Sequence, residues 1–207
     1  GGLSYAGLGG THQALEDIAM LRILPNMTVL CPADTVEVKL ALKAAMKCNG
    51  PVYIRLGKKN EPLVHQSDPD FQIGRGIVLR EGSDVCLLST GNMLPVTVET
   101  ADRLAEAGFS CQVVSMHTVK PLDYNLLENV FNKFQVVATV EEHTVLGGLG
   151  AAVAEWMSRQ TSLPARLCIN GIEDMFLHKV GNQNNARKVA GLTAQDISSK
   201  ILNILRG

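Results

Sequence analysis

Apolar positions along the chain follow a helical period in some stretches and form short, nearly unbroken runs in others. Leu15, Ile18, Leu21 and Leu24 recur at helical spacing before Pro25 ends the segment, and Thr11 is the predicted N-cap of that first helix. "MTVLCP" reads as a short buried strand. "ADTVEVKLALKAAMKCNG" reads as a helix capped by Asp34, with Glu37 three positions on and Asn49-Gly50 at its close, and "PVYIRL" is another apolar strand. Helix, strand, helix, strand at this spacing predicts an α/β fold with a parallel sheet.

The periodicity fails from Gly57 to about Gly74, where "GKKNEPLVHQSDPDFQIG" is polar and carries two prolines. We read residues 57–74 as an interdomain linker. Beyond it come strands "GIVLR" and "DVCLLST", a helix from Pro95 to Ala107 stopped by Gly108, and strand "SCQVVSM". Asp123 then caps a helix presenting Leu126, Leu127, Val130, Phe131 and Phe134, and the β-branched strand "QVVATVEEH" leads into "GGLGAAVAEWMSRQ". "ARLCING" is the last strand, and Thr193 with Asp196 caps a terminal amphipathic helix. Residues 1–56 hold only two strands, too few to stand alone, and so form the C-terminal part of a larger parallel-sheet domain. Residues 75–207 form a complete, mostly parallel α/β domain.

Composition narrows the functions open to such a fold. The chain has 207 residues, 46% of them hydrophobic, enough for an ordinary core, and its net charge of −1 comes with no stripe of Lys and Arg. Nucleic acid and acidic membranes are therefore poor partners. No apolar run approaches the roughly 20 residues of a membrane span, and no signal peptide is expected. The five cysteines are far apart, odd in number and without a CxxC, which argues for buried free thiols and a reducing, cytoplasmic setting rather than a zinc site or a disulfide framework. The Gly-Gly start suggests a piece of something longer.

Several clusters could carry chemistry. The turn "GGLGAA" at 147–152 lacks the third glycine of a dinucleotide fingerprint; it reads as a tight turn packing its helix on the sheet, or as an anion site at a helix start. In "EEH" at 141–143, alternation puts Glu141 and His143 on one face and Glu142 on the other, which suits a structural or interfacial role better than an acid/base pair. His65 reads as solvated linker. His117 and Lys120 read as polar surface at a strand end, with a loop contact as the alternative, and Trp156 as core or interface. "YIRLGKK" sets Arg55, Lys58 and Lys59 at a strand's C-terminal edge, where they suit an anionic substrate or a solvated basic turn equally.

His12 stands apart, in "GLGGTHQALED". At the first turn of the predicted helix the macrodipole disfavours an imidazolium, so a neutral ring able to exchange one hydrogen bond with an oxygen is expected. The flanking glycines allow a ligand close approach. An ordinary polar residue at a helix start is the alternative.

"THQALEDIAMLRILPNMTVLCPAD" resembles the second half of the pyrimidine-binding domain of the transketolase family, and "GSDVCLLSTGNMLPVTVETADRLAEAGF", "VVSMHTVKPLD" and "VATVEEHTVLGGLGAAVAE" resemble that family's C-terminal domain. The similarity spans nearly the whole chain and is strongest to C-terminal sections of bacterial split transketolases. It implies a thiamine-diphosphate- and Mg2+-dependent transferase moving two-carbon ketol units between sugar phosphates, with the cofactor held between subunits. His12 would be the catalytic histidine that contacts substrate oxygens over the thiazolium, with Gln13 beside it. Lys58 would bind the acceptor's phosphate, and Arg55 matches a strand arginine of the synthase branch.

The resemblance further implies an N-terminal section of the same enzyme as partner, a homo-oligomer, normally a dimer, and no cofactor binding or activity by this chain alone. The activating glutamate and the metal and diphosphate motifs belong to stretches outside this sequence. Leu8 stands where the family has an aspartate that contacts a sugar hydroxyl. Fragments of a 2-oxo acid dehydrogenase beta subunit or a deoxyxylulose-phosphate synthase, and a non-catalytic dimerisation or regulatory module, are the alternatives.

Overall fold

A computed structural model describes residues 1–58, 61–178 and 181–207. The chain runs α1 (Asp17–Arg22), β1 (Thr28–Leu30), α2 (Thr35–Ala45), β2 (Val52–Ile54), β3 (Ile77–Arg80), β4 (Val85–Ser89), α3 (Leu94–Glu106) and β5 (Cys111–Ser115). There follow β6 (Thr118–Lys120), α4 (Tyr124–Lys133), β7 (Val136–Thr144), α5 (Leu149–Met157), β8 (Arg166–Ile172), α6 (Gln183–Val189) and α7 (Ala194–Arg206). A five-stranded sheet has the order β3-β5-β4-β7-β8, parallel except for the antiparallel edge strand β3.

Strand β4 shows why these segments are almost wholly apolar: the sheet is covered on both faces, so both sets of alternating side chains are buried. Val85 and Leu87 join the core beneath α3 and α7, with Leu94, Leu104, Ile197 and Ile201. Cys86 and Leu88 join the core on the other face, with Leu127 and Phe131 of α4 and Val153 and Trp156 of α5. The predicted caps are present: Asp34 accepts from the amides of Val36 and Glu37, Asp123 from Leu126, and Thr193 with Asp196 forms a reciprocal capping box.

The first block completes its small sheet with a strand from the second. β1 pairs in parallel with β2 on one side and antiparallel with β6 on the other. β6 lies in the "MHTVKPLD" stretch read above as polar surface, and that reading is corrected. His117 is fully buried, stacked on Phe71 with ring centroids 3.9 Å apart, and Lys120 donates to the carbonyls of Arg22 and Leu24 at the end of α1. A cation at the C-terminal carbonyls of a helix sits where the peptide dipoles favour it.

His65 also departs from expectation. It is buried, and its Nε2 lies 2.8 Å from Oε1 of the fully buried Glu37, which also accepts from the amide of Ala33. Asp34 takes the amides of Val64 and His65 on its second oxygen, so the cap of α2 also binds the segment after β2. Local pattern shows a polar stretch, and only the contact with α2 makes it internal. Residues 61–74 nonetheless contain no helix or strand.

The hydrogen bond that His65 donates to Glu37 raises the His65 pKa above its ordinary value, against the opposing effect of burial. A raised folded-state pKa stabilises fully below the unfolded value of about 6.5 and is lost as pH rises through the folded value. His65→Gln should therefore cost about 2 kcal/mol at pH 6, and the deficit should shrink by pH 9. Urea unfolding at the two pH values checks this; a deficit independent of pH would mean that the pair is not ionised.

Candidate active-site loop

The segment before α1 is a closed loop rather than a helix start. Gly2 and Ala14 form an antiparallel bridge, donating to each other's carbonyls at 2.9 and 3.1 Å. That pairing holds Ala14 out of helical geometry, so α1 begins at Asp17 with no side-chain cap, and Thr11 is not the N-cap. The helix-dipole argument for a neutral His12 therefore has no helix to act through. Between the bridge residues the chain makes a short 3-10 turn, Ala6–Leu8, and Gly9 reverses it with a φ of 73°.

The loop's tip faces outward. His12 is exposed, with Nδ1 3.0 Å from the Thr11 hydroxyl and its ring centroid 6.5 Å from that of Tyr5. The exposed Lys58 places Nζ 4.1 Å from the centroid of the same Tyr5 ring. Two residues distant in sequence, an imidazole and an ammonium, thus meet around one exposed aromatic. Tyr5 was not foreseen: "LSYAGLGG" has no period that marks its ring as a platform. Lys59 lies outside the described residues.

Gln13 and Arg55 take other positions. Gln13 turns its amide to the Leu177 carbonyl at 3.4 Å. Arg55, expected as an anion-binding cation at the strand edge, is buried within this chain. Its Nε donates to Asp17 Oδ2 at 2.8 Å, and its Nη2 donates to Asp17 Oδ1 and to the carbonyls of Ala14 and Glu142 at 3.1, 2.7 and 3.0 Å. Tyr53 adds its hydroxyl to Asp17 at 2.6 Å. Burial alone would raise the Asp17 carboxyl, but the Arg55 guanidinium beside it holds the pKa below the ordinary range.

The "EEH" cluster divides as strand alternation predicts, and every member is buried. Glu142 accepts from the Leu3 amide at 2.6 Å, from Asn92 at 3.1 Å, from Gln183 at 3.0 Å and from Arg187 Nε at 2.5 Å. It thereby ties the first residues of the chain to β7 and α6. A Cβ on Gly2 would collide with its Oε1, so this close approach requires glycine. No pattern in the sequence announced Arg187 or α6, whose seven residues include one buried side chain, Ala186.

On the opposite face, Glu141 accepts from the amides of Leu149 and Gly150 at 2.7 and 2.8 Å. The turn at the start of α5 does hold an anion, and the anion is the protein's own carboxylate. A Cβ on Gly148 would collide with Glu141 Oε2, which is why the turn needs its glycine. Burial pushes the Glu141 pKa up to about 7 against those two amides. His143 donates from Nδ1 to the Thr144 carbonyl and accepts the Ala19 amide at Nε2, so a single neutral tautomer satisfies both ring nitrogens, and burial lowers its pKa.

Comparison with known proteins identifies the domains to which these segments belong. The family profile described as "Transketolase, C-terminal domain" matches residues 74–197, and "Transketolase, pyrimidine binding domain" matches residues 1–62. The 6-deoxy-6-sulfo-D-fructose transketolase subunit SqwH of Clostridium sp. (strain MSTE9) is 36% identical over 91% of this chain and 58% of its own length. An apulose-4-phosphate transketolase subunit of Actinobacillus succinogenes is 33% identical over 98% of this chain and 65% of its own. A solved structure described as "Split gene transketolase, inactive beta4 tetramer" is 39% identical, with a TM-score of 0.87 over 94% of this chain and 63% of that one. The chain thus spans about two thirds or less of these proteins.

Because Arg55 is buried and the Asp17 side chain is only 13% exposed, removing one leaves the other largely uncompensated. Arg55→Met should destabilise by about 3–5 kcal/mol, and adding Asp17→Asn should recover part of that loss. Chemical denaturation of the two variants tests it; an Arg55→Met loss below about 1 kcal/mol would show that the pair does not hold the loop.

Proposed function

Since the chain belongs to the transketolase family, we propose that it is the C-terminal section of a thiamine-diphosphate-dependent enzyme that transfers two-carbon ketol units between sugar phosphates. The observation that carries this reading is the meeting of His12 and Lys58 around Tyr5 on an exposed glycine-rich loop. Lys58 supplies an exposed cation for the anionic end of a sugar phosphate. His12 supplies one hydrogen bond to the substrate's carbonyl or hydroxyl oxygen and steadies the charge that develops there.

Thiamine diphosphate, when bound, supplies the nucleophilic carbon for such a transfer. Among the described residues no three His, Cys, Asp or Glu side chains gather as metal ligands, and the amides starting α5 are taken up by Glu141. These residues do not fit a metal-diphosphate group. We therefore assign Mg2+ and the diphosphate to a separate N-terminal section, with which this chain would form the active enzyme, and on this reading the chain by itself turns nothing over. Assembly with further copies of itself is supported by the related structure described as a tetramer. Free thiols at all five cysteines fit a reducing cytoplasm.

Leu8, 56% exposed, occupies the place of the family's sugar-binding aspartate on this same loop. It favours a donor whose anionic end rather than its hydroxyls dominates recognition, in keeping with relatives named for a sulfonated and a phosphorylated sugar. The same residue favours transfer from a 2-oxo acid as a second reading. Burst kinetics with ketose phosphates against 2-oxo acids separate the two.

In the enzyme reconstituted with its N-terminal section, His12→Ala should lower kcat about a hundredfold while leaving thiamine diphosphate affinity nearly unchanged. Lys58→Ala should raise KM about tenfold for anionic sugars with kcat preserved. Steady-state kinetics and cofactor titration check both, and unchanged turnover in His12→Ala would remove the imidazole from the mechanism.

A further inference from the structure

The winding of the large sheet reverses between β4 and β7. From β4 the chain passes through α3 to β5 on one side, while β7 pairs with β4 on the other. In doubly wound sheets the crevice beyond the C-terminal ends of two such strands is where a ligand binds. Asn92 follows β4 at this place, and Glu142 stands just past Val140, the last residue of β7 paired with β4. The crevice is filled from within the chain, by the start of the loop that carries His12.

Leu3, Ala6 and Leu15, from that loop and its base, are buried in one core with Leu87 of β4, Leu94 of α3 and Val140 of β7. Beside them, every partner of the Glu142 carboxylate is a donor. Oε1 accepts from the Leu3 amide, Asn92 Nδ2 and Gln183 Nε2, and Oε2 accepts from Gln183 Nε2 at 3.2 Å and from Arg187 Nε. Arg187 also donates from Nη2 to the Asn92 carbonyl at 3.2 Å, so one guanidinium spans the crevice between the two strand ends. At the loop's other root the Thr144 amide donates to the Leu15 carbonyl at 2.9 Å. The loop is thus seated on the second block of the chain, whereas Lys58 follows β2 of the first. His12 touches Thr11 and Tyr5, both within the loop, so its place relative to Lys58 depends on that seating.

We propose that Glu142 is a positioning residue for His12: braced by Arg187, its carboxylate fixes the Leu3 root and, through it, the imidazole, without touching substrate. This role rests on the reading of His12 as the group that contacts substrate oxygens. An imidazole displaced by about 1 Å loses much of its hydrogen bond to the developing charge, a cost on the order of a hundredfold in rate. The metal and diphosphate are assigned to another section of the enzyme, so the loss falls on turnover and not on cofactor affinity.

Glu142→Gln keeps the side chain's shape but turns a carboxamide N–H against donors. In the enzyme assembled with its N-terminal section, it should lower kcat at least about tenfold while thiamine diphosphate affinity stays within about twofold of wild type. In a His12→Ala background the same substitution should lower kcat by less than about twofold, because a group that acts through the imidazole has nothing left to position. Arg187→Leu should repeat this pattern, and Arg187→Lys, which keeps a cation beside Glu142, should recover most of the lost turnover. Circular dichroism and the unfolding midpoint establish which variants are folded, and the Arg187 pair carries the test if Glu142→Gln does not fold. Equal losses in the two backgrounds would overturn the role of Glu142 and leave His12 unaffected, as would wild-type turnover in the folded single variants. Wild-type turnover in His12→Ala would instead overturn the reading of His12, and the role of Glu142 with it.

Discussion

The hydrogen-bonded path from Glu142 through the buried Arg55 to Asp17 holds the loop that bears His12 in place. The Glu142 carboxylate receives the Leu3 amide and the Arg187 guanidinium, its carbonyl receives Arg55, and Arg55 in turn holds Asp17 and the Ala14 carbonyl. Leu3 and Ala14 lie near the two ends of the loop that bears His12. Both roots of that loop are thus attached to one charged network at the edge of the large sheet. Buried charges are tolerated there because each has several donors or acceptors, and breaking one contact leaves others desolvated.

Such anchoring explains how an exposed imidazole can be positioned without being buried. The Gly2–Ala14 bridge closes the loop, and the Thr144 amide donates to the Leu15 carbonyl just beyond it. Between these fixed points, Tyr5 gives His12 and Lys58 a common neighbour. Specific geometry at the tip comes from rigidity at the base, as in other sites carried on loops of a stable scaffold.

The neighbouring glutamate shows how a familiar turn can serve the fold instead of a ligand. In α5 the first free amides, which could hold a phosphate, are filled by Glu141 from the adjacent strand. Strand alternation sends Glu141 to this helix and Glu142 to Arg187, so two successive carboxylates bind different parts of the molecule. The two amides at the start of α5 are thereby occupied from within the chain.

The sequence by itself determined the parallel sheet, its covering helices and their caps, because periodicity and capping are properties of a few consecutive residues. Strand alternation likewise separated Glu141 and His143 from Glu142, and the Thr-His-Gln stretch singled out His12. Tertiary structure alone decided that α1 begins at Asp17 and not after Thr11, because Gly2 claims the backbone of Ala14. It decided that His65 and His117 are internal, since their burial depends on α2 and Phe71. It also decided that Arg55 braces the interior while Lys58, three residues on, is exposed beside Tyr5. These outcomes depend on which distant groups compete for the same donor, acceptor or surface, and local spacing carries no record of that competition.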